Sequence, residues 1–216
     1  MTLQVDCPPT WRPGAQIVIV GEAPGADEVR LGEGFVGQAG RLLDKMLTMG
    51  GLSRDEVSLT NVAQRRPPDD DFAAALYTTQ LVGRKRVTEP TPELLSWRWH
   101  LTQELAIARA KGVEVAVACG NEALDALLGI RGIAARRGSV WRREDGLWVV
   151  AMLPPAAILH ALMPTRSGDA SPIQAEGGRG GVSDRKLRLF TEAANGSTPA
   201  AQAALLRDIV GNPFRP

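Results

Sequence analysis

A glycine-rich segment, residues 21–40, is the first part of the sequence whose residue types could bind a ligand closely. Glycines free the backbone to approach a ligand, and one aromatic residue, Phe35, lies among them. The segment contains neither the dinucleotide-binding pattern G-x-G-x-x-G nor the P-loop pattern G-x-x-x-x-G-K-[ST]. From the residues alone, it is either a ligand-binding loop or an ordinary glycine-rich connection that places Phe35 in the core.

A second polar position, Asn61, stands at the end of a predicted strand, within residues 60–68. An Asn side chain donates and accepts hydrogen bonds at once, which matches the imide edge of a pyrimidine. The alternative is a turn Asn that bonds its own backbone. Ligands of parallel sheets bind at the carboxyl ends of the strands, so both segments are candidates for one site.

Short β-branched runs alternate with helical patterns, which predicts an α/β fold with a mainly parallel sheet. Strands are predicted at residues 16–20, 57–62, 113–118, 140–142 and 147–152. Helices are predicted at residues 39–49, 92–111 and 122–128, with a short one after 155. Residues 72–92 show no clear period and are predicted to form an inserted surface loop.

Length and composition predict one domain, residues 1–216, with an ordinary core. Residues 163–184 are rich in Gly, Ser and Pro and are predicted to be a mobile loop. Residues 185–216 are predicted to be a C-terminal helical extension.

Charge and cysteine content exclude several classes of protein. Two cysteines cannot form a disulfide framework or a four-thiolate metal site, and their scarcity favours a cytoplasmic protein. No apolar run approaches 18 residues, which predicts neither a membrane span nor a membrane partner. The net charge is +1, so an anion site must be local. We expect a monomer without a cofactor or metal.

Several motifs together resemble the uracil-DNA glycosylase superfamily, on the side of its thermophile-type families. They lie in the order and spacing of that superfamily between about residues 5 and 162. The motifs are G-E-A-P-G at 21–25, G-E-G-F-V-G-Q-A-G at 32–40, T-N-V at 60–62, R-P-P at 66–68, C-G-N-E-A-L at 119–124, R-G-S-V at 137–140 and P-A-A-I-L at 155–159.

The resemblance implies a three-layer α/β/α sandwich with a central, mainly parallel four-stranded sheet, which binds DNA with a flipped-out uracil. It implies that Phe35 stacks on the uracil ring and that Asn61 bonds the edge of the base. Glu22 would position the sugar or the attacking water. The remaining substrate-binding residues that it implies are Gly21, Ala23, Pro24 and Gly25.

One departure from the family concerns the leaving base. The family usually supplies a hydrogen-bond donor from a His in an H-P-[SA]-A motif, and Pro154 stands at that position here. The loss of one such donor typically costs about a hundredfold to a thousandfold in rate. His160, six residues further on, is expected near the DNA backbone with Pro155 and Ala156.

A second departure concerns the iron-sulfur cluster that many thermophile-type members hold with four cysteines. Arg65 stands at the third cysteine position and approximately Trp97 at the fourth, which leaves Cys7 as a remnant of the first pair. A single thiolate cannot hold the cluster.

Basic residues form the predicted DNA-binding patch. The alternative is that these charged side chains only face solvent and bind no ligand. Such a patch binds phosphates without reading sequence. Its members are Arg65, Arg66, Arg84, Lys85 and Arg86, joined by Arg136 and Arg137. The residues expected to include a minor-groove wedge are Leu159, Leu162 and Met163.

Two functions remain open from the sequence. The first is a base-excision repair glycosylase that hydrolyses the N-glycosidic bond of uracil or a related deaminated base in DNA. The second is a catalytically weakened relative that binds uracil or damaged DNA as an accessory module. A nucleotide hydrolase is disfavoured, because the sequence offers no carboxylate cluster for magnesium.

Overall fold

The computed structural model describes residues 3–162, and side chains as far as residue 159. The predicted loop 163–184, the extension 185–216 and the wedge candidate Met163 lie outside the described residues. Within them the elements are β1 (Ile17–Gly21), α1 (Ala26–Leu31), α2 (Gln38–Met49), β2 (Val57–Asn61), α3 (Phe72–Leu76), β3 (Tyr77–Val82), β4 (Lys85–Pro90), α4 (Pro92–Ala110), β5 (Val115–Cys119), α5 (Asn121–Leu128), α6 (Ile133–Arg136), β6 (Val140–Arg142), β7 (Trp148–Met152) and α7 (Pro155–Leu162).

The central sheet has the strand order β2-β1-β5-β7-β6. The first four strands are parallel, and β6 pairs antiparallel with β7. The α/β class and the mainly parallel sheet are confirmed, and among the described residues the sheet has five strands instead of the expected four. The extra strand is the edge strand β6, which a β-turn joins to β7.

Each parallel strand is buried on both faces, because helices cover both sides of the sheet. On β5, Ala116 and Ala118 contact the core beneath α4 and α5, whereas Val117 and Cys119 contact the core beneath α2 and α7. Strands buried on both faces read as nearly continuous apolar runs, which is why the sequence revealed them. The result is the expected three-layer arrangement.

Helix α4 shows how local sequence sets the ends of an element. The Thr91 hydroxyl accepts a hydrogen bond from the Leu94 backbone N–H at 3.2 Å, and Pro92 occupies the first helical position. The helix buries Trp97, Leu101 and Leu105 against the sheet. It runs from the edge of the sheet where β2 ends to the edge where β5 begins.

The prediction of a surface loop for residues 72–92 is wrong. These residues form α3 and a two-stranded antiparallel hairpin, β3–β4. Asp71 caps α3 by accepting a hydrogen bond from the Ala74 N–H at 2.9 Å. The hairpin side chains are almost all exposed, so the sequence carries no apolar alternation to identify the strands.

Two short helices also escaped prediction for the same reason. Helix α1 lies within the glycine-rich segment and buries none of its residues. Helix α6 has four residues and buries only Ile133.

The N-terminal segment covers the free edge of β2. Thr10 and Leu59 exchange two backbone hydrogen bonds, at 2.8 and 2.9 Å. The N–H groups of Asp6 and Cys7 both bond the Gln64 carbonyl. This pairing protects an edge that would otherwise expose unpaired backbone groups.

Among the described residues, no helix is both long enough and apolar enough to cross a membrane.

Candidate functional site: a pocket at the carboxyl edge of the sheet

A pocket of about 310 Å³ opens at the carboxyl ends of the parallel strands. Strand β1 lies between β2 and β5, so the chain passes from β1 to β2 on one side and later returns to β5 on the other side. Ligands of parallel sheets bind in the crevice at such a reversal of strand order. The lining residues are Gly21, Glu22, Ala23, Pro24, Gly25, Glu28, Phe35, Ala39, Gly40, Asn61, Cys119, Pro154, Pro155 and Ala156. All the predicted substrate-binding residues are therefore in one cavity, although their roles stay predictions.

Phe35 and Asn61 converge over Gly21 at the end of β1. A Cβ atom on Gly21 would overlap the Asn61 Oδ1 atom and would lie 2.7 Å from Phe35 Cζ. Any larger residue at this position would push the ring and the amide apart. A planar aromatic face and a polar amide consequently meet in one small space, where the half-buried Phe35 also packs against the core beneath α2 and α7.

The loop that carries Phe35 is held by the Glu28 carboxylate. One oxygen accepts hydrogen bonds from the N–H groups of Val36 and Gly37, both at 3.0 Å, and the other accepts from the Gly25 N–H at 3.1 Å. Bonds from N–H groups to a carboxylate are stronger than those to a neutral acceptor. Glu28 therefore ties the loop after β1 to the loop before α2.

Arg54 holds the carbonyl side of the same loop. Its Nη1 atom donates to the Phe35 carbonyl oxygen at 3.0 Å and to Asp44 Oδ1 at 2.9 Å, and its Nη2 atom donates to the Gly34 carbonyl. No motif or periodicity in the sequence indicates this role for Arg54. The role of Glu28 could have been found, since a Glu three residues after a helix N-cap is the pattern of a capping box.

The backbone of Phe35 adopts a left-handed conformation, with φ at +57°. A residue with a Cβ atom rarely occupies this region, so the surrounding contacts must maintain it. Gly40 is one such contact, because a Cβ there would overlap the Phe35 carbonyl oxygen. The strain is located where the aromatic ring is presented to the pocket.

Asn61 is positioned by backbone and by a buried polar cluster behind it. The N–H groups of Val62 and Ala63 bond the carbonyls of Gly21 and Glu22, at 2.9 and 3.0 Å, so the loops after β1 and β2 lie side by side. Within residues 3–162, no hydrogen bond occupies the Asn61 side chain. Its amide is therefore available to a ligand, which is not the case for a turn Asn that bonds its own backbone.

The polar cluster behind Asn61 is centred on Glu104 of α4. Its carboxylate accepts hydrogen bonds from Gln64 Nε2 at 2.6 Å and from the Thr60 hydroxyl at 3.4 Å. His100 Nε2 lies 3.2 Å from the same carboxylate. Thr60 and Gln64 flank Asn61 in sequence, so α4 fixes the end of β2.

Glu22 lies at the rim of the pocket in an environment that disfavours its charge. The surrounding protein raises the pKa of Glu22 by desolvation, and the negative charges of Glu122 and Asp71 raise it further. The positive charge of Arg131 acts in the opposite direction. A carboxyl group with a raised pKa in a cleft is a typical feature of a reactive site.

A second cluster, which we call the tyrosine network, lies beyond Glu22. The Tyr77 hydroxyl donates to Glu122 Oε2 at 2.6 Å, and burial followed by this bond raises the pKa of Tyr77 to about 12. Arg98 Nη2 and Arg131 Nη1 donate to Asp125 Oδ2 at 2.6 and 2.9 Å, and Arg131 Nη2 also donates to Glu122 Oε1. Two guanidinium groups thus balance two carboxylates.

Pro154 lines the pocket at the position where the family resemblance implies a His. It packs against Gly120, which has φ at +107° and whose Cβ, if present, would lie 3.0 Å from Pro154 Cγ. Proline offers neither a side-chain donor nor an N–H. His160 belongs to α7, but the placement of its side chain lies outside the description.

The predicted DNA-binding residues do not all gather at the pocket. Pro155 and Ala156 line it, whereas Arg65 and Arg66 line a separate depression of about 130 Å³ beside Trp97. Arg65 pairs with Glu93 at 3.3 Å, and Arg66 makes two bonds to Asp70 at 2.6 and 2.7 Å. The three residues Arg84, Lys85 and Arg86 instead lie at the far end of the hairpin.

The residues at the family's cluster positions do not fit an iron-sulfur cluster. Arg65 is engaged with Glu93, and Trp97 is a buried core side chain. Burial, followed by the charges of Glu28, Glu33 and Asp6, raises the pKa of Cys7, which opposes the thiolate form that binds iron. These residues therefore cannot hold the cluster that many thermophile-type members carry.

Comparison with known proteins decides the family. The family model of the uracil DNA glycosylase superfamily matches residues 8–169. The chain belongs to this superfamily.

Several curated type-4 uracil-DNA glycosylases are similar to this chain over a stretch of fewer than 80 residues. The type-4 uracil-DNA glycosylase of Archaeoglobus fulgidus is 57% identical over 56 residues, which is 26% of this chain and 28% of the relative. That of Sulfurisphaera tokodaii is 51% identical over 59 residues, 27% of each chain. This chain thus spans less than a third of the length of these relatives.

Gly40→Ala tests the support of Phe35. The new methyl group would collide with the Phe35 carbonyl, so we expect a loss of unfolding free energy of about 2 kcal/mol or more. Gly34→Ala is the matched control, because a Cβ there meets nothing within 4 Å, and we expect a change within about 0.5 kcal/mol. Equal stability of the two variants in urea unfolding would contradict this packing.

Glu122→Gln tests the electrostatics of Glu22. Removing the Glu122 charge removes one repulsion and leaves Arg131 less neutralised, and both changes lower the pKa of Glu22. Arg131→Gln removes an attraction, so it raises that pKa. Titration of the Glu22 carboxyl carbon by NMR checks both directions, and an unchanged pKa in both variants contradicts the coupling.

Proposed function

We propose that this protein is a DNA repair glycosylase that hydrolyses the N-glycosidic bond of a flipped-out uracil, or a related deaminated base, in DNA. The observation that carries the proposal is the convergence of the Phe35 ring and the unoccupied Asn61 amide over Gly21. Superfamily membership supports it as well.

Recognition of the base follows from these two side chains. The ring of Phe35 offers a stacking surface, and base–aromatic stacking contributes about 1–3 kcal/mol. The Asn61 amide donates to a carbonyl of the base and accepts from its adjacent N–H. These contacts offset the cost of a few kcal/mol for taking a base out of the stack.

Bond cleavage leaves positive charge on the sugar and negative charge on the departing uracil. The ionised Glu22 side chain at the rim accepts a hydrogen bond from the attacking water and faces the developing positive charge. Its raised pKa makes it a better proton acceptor than an ordinary carboxylate. The water adds to the anomeric carbon of the sugar and gives a proton to the Glu22 carboxylate, while the bond to the base breaks and its electrons leave with uracil as an anion. That proton then passes from Glu22 to solvent or to the uracil anion, which restores the carboxylate.

The leaving base has one hydrogen-bond donor fewer here than in a site with a His at position 154. Asn61 donates from its amide, and Ala156, in the first turn of α7, has an N–H without an acceptor inside the helix. Pro154 adds none. This specific observation favours a second candidate function, a weakened relative that recognises uracil or damaged DNA without cleaving it efficiently.

DNA would approach across the rim of the pocket. We assign the backbone of the flipped nucleotide to Pro155, Ala156 and His160, and the flanking phosphates to Arg84, Lys85 and Arg86. One chain supplies the whole described pocket, so a monomer suffices. Both cysteines are free and buried, which fits a reducing compartment such as the cytoplasm.

A glycosylase assay tests the proposal and separates its two forms. Strand cleavage after alkali on single- and double-stranded uracil DNA is expected for the wild type. Asn61→Ala should lose about a hundredfold to a thousandfold in rate, and Phe35→Ala about tenfold or more. Trp99→Ala, an exposed aromatic residue outside the pocket, is the control.

The outcomes of the cleavage and binding assays separate a recognition module from a wrong pocket assignment. Absence of cleavage at high protein concentration, with uracil-dependent binding that Phe35→Ala abolishes, supports the recognition module. If both variants cleave and bind uracil DNA like the wild type, the pocket assignment is wrong.

A further inference from the structure

The β3–β4 hairpin ends in two aliphatic side chains that face solvent. Leu81 is 72% exposed and Val82 is 61% exposed, more than most large apolar residues in the described part of the chain. They are successive strand residues and point to opposite faces of the ribbon, so the end of the hairpin carries an exposed aliphatic side chain on each face. The function of the pocket does not account for them.

The strand register places a cation opposite each aliphatic residue. Leu81 pairs with Arg86, and Val82 pairs with Lys85, so each pair shares one face of the ribbon. Arg84 lies in the two-residue turn after Gly83, whose φ of +64° suits a tight hairpin turn. The tip therefore has one apolar edge and one cationic edge.

The three cations are free of partners within the described residues. None of the salt bridges there involves Arg84, Lys85 or Arg86. The hairpin contains a single acidic residue, Glu89, and it lies near the base. In a chain of net charge +1, this tip is a local concentration of positive charge that complements an anionic partner.

The base of the hairpin is fixed to the body of the protein. Tyr77, the first residue of β3, is held by Glu122, Arg98 and Arg131 in the tyrosine network. The Thr91 N–H bonds the Leu76 carbonyl at 3.0 Å and closes the base. A two-stranded ribbon alone is marginally stable in water, so this anchor is what lets the tip project with a defined direction.

The anchor is also next to the pocket. Glu122 lies three residues after Cys119, which lines the pocket, and Glu122 and Arg131 both act on the charge of Glu22 at the pocket rim. Six residues per strand at about 3.3 Å each give an arm of roughly 20 Å. At 3.4 Å per step, the tip can reach DNA up to about six base pairs from the pocket.

We propose that the hairpin tip is a second DNA contact, which grips duplex flanking the flipped nucleotide. Arg84, Lys85 and Arg86 bind phosphates, while Leu81 and Val82 enter the minor groove as an apolar wedge. The proposal rests on the proposed function in taking DNA as the ligand and the three cations as phosphate contacts, and it adds the insertion of Leu81 and Val82. It assigns the wedge to the hairpin in addition to the expected residues around α7.

Anisotropy titrations of the full chain with three DNA probes test this arm. The probes are a duplex with one non-cleavable uracil analogue, the same duplex without uracil, and the uracil strand alone. The variants are Leu81→Ser with Val82→Ser, and Arg84→Gln with Lys85→Gln and Arg86→Gln. Ile107→Ser is the control, since Ile107 is 58% exposed near the opposite edge of the sheet.

The two variants should lose affinity in different ways. The serine variant should lose about tenfold in affinity for both duplexes, with an unchanged salt dependence and little loss on the single strand. The glutamine variant should lower the slope of log affinity against log salt by up to ~2.7, which is ~0.9 for each of three phosphate contacts. Ile107→Ser should bind like the wild type.

Several results would contradict the proposed DNA contact of the hairpin tip. Wild-type duplex affinity in the serine variant excludes an apolar wedge at the tip, and an equal loss on single-stranded DNA excludes a minor-groove contact. The uracil-free duplex separates this proposal from the function of the pocket. If Phe35→Ala abolishes the preference for uracil while the tip variants bind normally, the pocket stands and the arm fails. If the tip variants lose both duplexes and no uracil preference exists, the reverse holds.

Discussion

The site depends on one constraint, the opposed clamping of the loop around Phe35 by a carboxylate and a guanidinium. Glu28 accepts from three N–H groups of residues 25, 36 and 37, and Arg54 donates to the carbonyls of residues 34 and 35. Each partner satisfies backbone groups that a short, glycine-rich loop cannot pair within itself. The clamp maintains the left-handed backbone that points the ring at Asn61.

The charges next to the pocket are likewise paired with partners of opposite sign. Glu122, Asp125, Arg98 and Arg131 neutralise one another around Tyr77, so a buried carboxylate can lie near the rim without an unpaired charge. Two tasks meet in this network, because it shifts the pKa of Glu22 and anchors the hairpin. A substitution in the network should therefore change both the pKa of Glu22 at the pocket and the anchoring of the hairpin.

Sequence reasoning located the parts of the molecule that repeat a pattern. The buried strands, the long helix α4 and the glycine-rich loop follow from apolar runs, a capped N-terminus and residue types. Phe35 and Asn61 were found through motif resemblance, and the structure places them together. Their roles in a reaction stay predictions.

What the sequence missed lacks an apolar signal or depends on distant partners. The exposed hairpin β3–β4 reads as polar loop, because neither of its faces is buried. Arg54 and the tyrosine network act through residues far apart in the chain, such as Tyr77 and Arg131. The ion pairs of Arg65 and Arg66 likewise could not be read from a basic run, and they leave the hairpin tip as the freer group of cations.

The most direct test of the pocket is a crystal structure of the protein with a duplex that carries a non-cleavable 2′-fluorinated deoxyuridine. We expect the uracil ring to stack on Phe35, its imide edge to lie within hydrogen-bonding distance of the Asn61 amide, and the contacts of Glu28 and Arg54 to the loop to be unchanged. A uracil that remains stacked in the duplex, or one bound away from Phe35 and Asn61, would contradict it.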